Sequence, residues 1–345
     1  MSGRRLEKDK GGPVITMSDN IISIRNMKVE YKKPRGSLFA VNGVDFDLEK
    51  GKLTALVGES GSGKSTLAFT ILNTISGNGK MVSGEVLFNG ENILDYDTDT
   101  LNKYKWDKVS MIFQASQNAF NPLMTVYQHF IETYNTHVKN GNKEEMKQLF
   151  IRLMEDVRLE PERVLKAYPH ELSGGMRQRV MIAFSMMLDP EVIILDEPTT
   201  ALDVITQDYI FSILRTLHQR LHAAMLLLTH DIGVVAKVAD SIAIMYAGKI
   251  VEMGDVSTIF KNAAHPYSYY LIKSAPSLLD TGEEKEPIEG SPPDMMDLPE
   301  GCPFHPRCKF ATELCRTQEP PMVYLNDNHR AMCHYAGKFL ERRDS

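Results

Sequence analysis

Two spacings of apolar residues divide the chain. Short aliphatic runs at Leu53–Val57, Glu191–Leu195 and Ala224–Thr229 have the length and density of strands buried on both faces. Ile21–Tyr31 alternates apolar with polar residues, as a half-buried strand does, and Phe39–Leu48, Gly84–Gly90 and Val109–Phe113 read as further strands. Ser241–Tyr246 and Lys249–Gly254, parted by a glycine turn, predict a terminal hairpin. Helical spacing appears in Leu67–Ile75, over most of Thr125–Met187 with a break at Tyr168-Pro-His170, and from about Val204 to Leu221. Strands alternating with helices predict an α/β fold with a mainly parallel sheet and its ligand at the carboxyl ends of the strands. The long helical stretch, about 115–190, reads as an insertion into that fold.

Between the Leu53 strand and the Leu67 helix lies Gly58-Glu-Ser-Gly-Ser-Gly63-Lys64-Ser65-Thr66, which fits the phosphate-loop pattern G-x-x-x-x-G-K-[ST] in the strand–turn–helix setting that pattern requires. Its glycines let successive N–H groups turn inward around an anion, and the helix end adds partial positive charge. Lys64 supplies a point charge for β- and γ-phosphates, and Ser65 can ligate Mg²⁺. Gly58, Ser60, Gly61, Ser62, Gly63, Lys64, Ser65 and Thr66 are therefore candidate ATP-binding residues.

Downstream, the Val192 strand ends in Asp196-Glu197. Asp196 is placed to bind Mg²⁺, and Glu197 to polarise water attacking the γ-phosphate. Leu172-Ser173-Gly174-Gly175 opens another helix, with Ser173 where an N-cap belongs. A cap does not need two glycines, each of which costs about 1 kcal/mol inside a helix. Glycines leave the end uncovered, so this looks like a second phosphate-binding helix end.

Length and charge narrow the class. At 345 residues two domains are expected, and 43% apolar residues suffice for a core. The net charge of −6 gives no basic footprint for nucleic acid. No apolar run approaches a membrane span, and the start has no apolar core of a signal peptide, so a cytoplasmic protein is expected. Residues 1–20 read as a flexible tail, Glu283–Pro287 and Ser291–Pro293 as linker, and Lys338–Ser345 as a charged tail. All four cysteines, Cys302, Cys308, Cys315 and Cys333, fall near the end. In a reducing compartment that clustering favours a metal over disulfides, and four thiolates can hold Zn²⁺ or an iron–sulfur cluster. The spacing C-x5-C-x6-C-x17-C does not choose between them, and a small segment with four free cysteines is the bland alternative.

The phosphate loop, Gln114, Leu172–Gly175, Asp196-Glu197, Ala201-Leu-Asp203 and His230 together resemble an ATP-binding-cassette (ABC) ATPase over about Ile21–Gly254. Within it, His265-Pro-Tyr-Ser-Tyr-Tyr-Leu271 and Gly301-Cys-Pro-Phe-His-Pro-Arg-Cys308 resemble the D-type ATPase subunits of bacterial oligopeptide and dipeptide importers. The resemblance implies a P-loop NTPase core with an N-terminal antiparallel β subdomain, an inserted helical subdomain and a small C-terminal metal- or cluster-binding domain. The expected division is 21–264 for the nucleotide-binding domain and 265–345 for the C-terminal domain. It implies that Tyr31 stacks on adenine, that Gln114 senses Mg²⁺ and the attacking water, and that His230 contacts the γ-phosphate. Ser173, Gly174, Gly175 and Asp203 would act in trans, on ATP held by a second ABC subunit. It also implies a 4Fe–4S cluster on the four cysteines, two transmembrane permease subunits, a solute-binding protein and a place on the cytoplasmic face of the membrane. Importer subunits commonly carry an acidic residue and a proline soon after the glutamine, whereas here the stretch is Gln114-Ala-Ser-Gln-Asn-Ala-Phe-Asn-Pro122. Two other readings are an importer of nickel or another small solute, and a soluble cassette protein acting on ribosomes or DNA. The second commonly has two cassettes or a long coiled coil, and this chain has one phosphate loop and no sustained heptads.

Overall fold

The computed structural model describes residues 20–341 apart from 35, 76, 115–118, 140, 201, 275–286 and 340. Residues 1–19 of the expected tail, nearly all of the linker at 283–287 and the last four residues thus lie outside the described residues, while Asn20 opens a strand.

Strand β1 (Asn20–Lys33) pairs antiparallel with β2 (Gly36–Glu49), and β3 (Leu53–Val57) then leaves for a second sheet. After α1 (Lys64–Ile71), β4 (Gly79–Phe88) and β5 (Glu91–Asn92) return to the first sheet, whose order is β2-β1-β4-β5. Ile22, Ile24, Met27 and Val29 of β1 are buried, and a bulge around Asn26, at φ 45°, resets the alternation between Ile24 and Met27. This is the antiparallel β subdomain that the sequence reading expects.

The second sheet receives the aliphatic runs. It contains β3, β6 (Val109–Ile112), β7 (Val192–Asp196), β8 (Ala224–Thr229), β9 (Ser241–Tyr246) and β10 (Lys249–Asp255). From β9 through β3, β8 and β7 to β6 the pairs are parallel, and every residue of β3, β6, β7, β8 and β9 is buried. Strand β10 returns antiparallel to β9, as the predicted hairpin requires. The last strands, β11 (Met322–Asn326) and β12 (His329–Met332), extend the same sheet, with β12 antiparallel to β10.

Between β5 and β6 runs the short helix α2 (Thr98–Asp107), kinked at Trp106. The insertion between β6 and β7 is helical: α3 (Val126–His137), α4 (Lys143–Asp156), α5 (Pro161–Lys166) and α6 (Gly174–Ser185). Thr125 and Gln128 form a capping box for α3, while Pro169 sits in the 3₁₀ turn that separates α5 from α6. Phe130 meets Phe150 and Phe184 edge-on at 5.1 and 5.0 Å between centroids, a local core that fixes α3, α4 and α6 together.

Helix α7 (Val204–Leu221) crosses from β7 to β8 and α8 (Ile232–Val238) from β8 to β9. Helices α9 (Val256–Asn262) and α10 (Pro266–Lys273) follow β10, and α11 (Glu313–Thr317) lies in the cysteine segment. Tyr246, Tyr267 and Phe304, from β9, α10 and that segment, pack with centroids 4.7–5.4 Å apart. Below them Glu252, fully buried, accepts bonds from the Ala264 and His265 amides and from His329 Nε2 at 2.7–3.0 Å. A buried carboxylate with three donors joins β10, β12 and the α9–α10 link.

Candidate functional site

The phosphate loop is forced into shape by contacts on its outer side. A Cβ on Gly58 would stand 2.2 Å from the Met245 carbonyl, and one on Gly63, at φ 105°, would stand 2.1 Å from the Ala40 carbonyl. Only glycine fits there. The loop opens on a cleft of about 680 Å³ lined by Ser60, Gly61, Gly63, Lys64, Ser65 and Thr66, with Gln114, Glu197 and His230 on the opposite side. Gly58 and Ser62 do not line it; Ser62 is buried, and the Gly248 amide donates to its carbonyl at 3.0 Å. Lys64 Nζ donates to the carbonyls of Gly58 at 2.8 Å and Glu59 at 3.0 Å. Burial lowers its pKa, against the opposing charges of Glu197, Asp196 and Glu59.

Across the cleft, β7 delivers its two carboxylates to different depths. Asp196 is buried at the strand end; desolvation raises its pKa, against a hydrogen bond from the Ser65 side chain. Glu197 turns outward in the left-handed region, at φ 45°, a conformation a non-glycine residue adopts at a cost of about 1 kcal/mol or more. Its Oε2 accepts from Gln114 Nε2 and from the Thr200 hydroxyl, both at 3.0 Å, and its Oε1 lies 3.1 Å from His230 Nδ1. Burial pushes the Glu197 carboxyl up, but the bonds from His230 and Thr200 and the His230 and Lys64 charges outweigh it. The group is held below the usual carboxylate range, hence ionised at neutral pH. Four residues 166 positions apart in sequence, from Lys64 to His230, thus face one space.

The second helix end lies elsewhere. Ser173 caps α6, accepting from the Met176 amide at 3.3 Å, and is otherwise exposed. Asp203 caps α7 through the Thr206 amide and hydroxyl at 2.9 and 2.7 Å, and those bonds lower its pKa. Beside it Val204 and Ile205 are 74% and 83% exposed. Ser173, Gly174, Gly175 and Asp203 do not line the cleft, and neither does Tyr31, whose ring lies against Gly79. Ala40, Glu59 and Thr200 belong to the site although no motif marked them; Thr200 could have been noticed as the third residue after Glu197.

Comparisons with known proteins now bear on these geometries. Residues 41–200 match the family model described as ABC transporter, and residues 251–315 the model described as oligopeptide/dipeptide transporter, C-terminal region. The chain is 40% identical to the dipeptide transport ATP-binding protein DppD of Caldanaerobacter subterraneus over 91% of its length and 96% of the relative's. It is also 40% identical to the oligopeptide transport ATP-binding protein OppD of Escherichia coli, over 92% and 93%. The chain belongs to the ATP-binding subunits of the oligopeptide/dipeptide ABC transporters. Its fold is also that of a solved dimeric cassette, MJ0796, in a post-hydrolysis state with ADP and Pi, at a TM-score of 0.61 and 28% identity over 68% of this chain and 98% of that one. This transporter ATPase therefore has the cassette architecture the motifs imply.

The C-terminal part of the subunit gathers its four cysteines. Cys302, Cys308, Cys315 and Cys333 line one apolar cavity with Phe304 and Phe339. Burial pushes Cys302 up to about 11, and Cys308 and Cys333 up to about 12, with neighbouring thiols adding to the rise. Among the described residues, no group of three or more His, Cys, Asp or Glu side chains is arranged to hold a metal ion.

Proposed function

We propose that this subunit hydrolyses ATP to power import of oligopeptides or dipeptides, with ATP sandwiched between its cleft and the Ser173 helix end of a second ABC ATPase. What carries the reading is the division of the site. Lys64, Ser65, Gln114, Glu197 and His230 line one space, with Asp196 buried at the end of β7, whereas Ser173 and Asp203 stand exposed, next to half-buried Gly174 and Gly175 and to exposed Val204 and Ile205. A bare helix end next to exposed aliphatics is half of an interface.

In this reading Lys64 and the loop amides hold the β- and γ-phosphates, and His230 contacts the γ-phosphate. Ser65 and Asp196, already hydrogen-bonded, would hold Mg²⁺ with Gln114; the ion would neutralise charge on the phosphate oxygens. Glu197 accepts the proton of the attacking water, kept ionised and aimed by His230, Thr200 and Gln114. Tyr31 is assigned the adenine by resemblance only, and would have to leave its contact with Gly79. Closing of the dimer on ATP and reopening after hydrolysis would move two transmembrane permease subunits, fed by a solute-binding protein. Among the described residues no helix is long and apolar enough to cross a membrane, so attachment to the cytoplasmic face would come through those partners. The relatives' peptide names favour peptides over nickel, and their transport names favour a transporter over a ribosome- or DNA-acting protein.

By the resemblance to the importer subunits, we assign the four cysteines a 4Fe–4S cluster rather than zinc. They are soft donors around one apolar cavity, with desolvated thiols that a cluster's positive iron would return to thiolates. Iron and sulfide assays on anaerobically purified protein test this, and zinc without iron would refute it. For the ATPase itself, detergent-solubilised membranes should yield this chain with two integral membrane proteins; recovery with ribosomal proteins instead would sink the transport reading.

A further inference from the structure

Outside the catalytic cleft, one buried cation stands out. Arg307 lies in the cysteine segment, directly before Cys308, and its side chain is 6% exposed. All five of its N–H donors are used. Nη1 and Nη2 grip Glu59 Oε2 and Oε1 at 2.7 and 2.9 Å, a bidentate fork. Nε donates to the Glu289 carbonyl at 2.9 Å, Nη2 to the Gly290 carbonyl at 3.4 Å, and Nη1 to the Tyr246 hydroxyl at 3.4 Å. The guanidinium also stands over the Tyr246 and Phe304 rings, 5.8 and 5.9 Å from their centroids.

Glu59 is the second residue of the phosphate loop. Its carboxylate is held by Arg307, its amide donates to the Tyr267 hydroxyl at 3.1 Å, and its carbonyl accepts from Lys64 Nζ at 3.0 Å and from the Ser62 amide at 3.2 Å. Two of these partners, Arg307 and Tyr267, come from beyond residue 264. Pro292, Pro293 and Met295 close the back of the same loop against Glu59, Gly61 and Ser62. The loop thus has two walls: the cleft that receives phosphates, and a rear wall built by the C-terminal segment.

A loop must present its amides in a fixed arrangement to bind an anion, and ordering it at the moment of binding costs affinity. We propose that Arg307 is a positioning residue of the ATP site: through Glu59 it sets the resting shape of the phosphate loop, so that the state of the cysteine module governs how tightly this subunit takes up ATP. Arg307 does not line the cleft. Its loss should therefore raise KM for ATP while leaving kcat at saturation nearly unchanged, the mark of an interaction equal in ground and transition states.

The test uses the full chain, a fluorescent ATP analogue with Mg²⁺, and iron content measured on the same samples. Arg307→Ala should weaken nucleotide binding about tenfold, as loss of a charge-assisted bidentate pair does. Arg307→Lys, lacking the fork, should recover little of it. Glu59→Gln should give a similar loss, and the double variant should be no worse than either single one. Cys308→Ser should weaken binding in the native background and add nothing on top of Arg307→Ala. Multiplying losses in the double variant, or unchanged affinity in both Arg307→Ala and Glu59→Gln, would overturn the proposal. Unchanged affinity in Cys308→Ser despite a loss of iron would cut the link to the module, whereas native protein without iron would refute the cluster and leave the Arg307–Glu59 result standing. If Arg307→Ala does not fold, Glu59→Gln decides, because it leaves the C-terminal segment untouched.

Discussion

Two helix ends in this subunit begin in glycine-bearing motifs, and they differ in company. The end of α1 faces Gln114, Glu197 and His230 across a cleft, with Lys64 hydrogen-bonded to its own loop carbonyls. The end of α6 presents an exposed Ser173, whose hydroxyl accepts from the Met176 amide, beside half-buried Gly174 and a Gly175 that lies against Thr206. Both have the polarity that attracts an anion. Of the two, the first faces a carboxylate and a histidine across a cleft. On the proposed reading, the chain therefore holds the catalytic groups and half of a binding site, and the other half arrives on a second ABC subunit.

That contrast can be broken at either end. The largest effect is expected at the chemical end: Glu197→Gln should lower kcat by about a thousandfold, the scale of a lost general base, while nucleotide still binds. Undiminished turnover, followed by phosphate release, would remove Glu197 from the mechanism. At the bare end, Ser173→Arg should lower turnover by about a hundredfold through lost stabilisation of phosphate charge, yet leave nucleotide binding to the isolated subunit intact. Equal loss of binding in the monomer would mean that α6 serves its own chain's cleft.

His230→Ala sharpens the account of the cleft through pH. His230 is one of the groups holding Glu197 below the usual carboxylate range. In the native enzyme the base stays ionised until pH falls below that range, and only there should its contribution to turnover and to folding be lost. Removing His230 raises the carboxyl, so the acid limb of the rate profile should move to higher pH, alongside a fall of about tenfold at neutral pH. An acid limb that stays put would show that the 3.1 Å contact does not set the ionisation. The smallest effect belongs to Ser173→Ala. Losing the cap should cost about 1 kcal/mol, read as a small drop in denaturant midpoint. A fall in turnover larger than that loss of stability explains would separate trans binding from capping.

The motifs around the cleft were legible in the sequence because each is local. Phosphate loop, strand-end carboxylates and Ser-Gly-Gly each declare themselves within a few residues, and the aliphatic runs mark the parallel strands. The long-range parts were not legible. The bulge at Asn26 and the β11–β12 hairpin on β10 depend on pairing between distant segments. Glu59 and Arg307 lie 248 residues apart, and a variable position inside a glycine loop gives no hint of its partner. Tyr31 shows the reverse. Its position suggests adenine, but its ring rests on Gly79, where the adjoining strand brings a residue without a side chain.

The carboxylate at Glu252 has a practical consequence for anyone dissecting this subunit. Cutting the chain after Ala264 removes two of its three donors, the His265 amide and the His329 ring, and strips β12 from β10. An acid in a dry interior would lose its partners as a fresh sheet edge opened beside it, an invitation to aggregate. The catalytic half should therefore be obtainable only with its tail attached, and a minimal cassette trimmed to match shorter cousins would report on its own misfolding rather than on ATP.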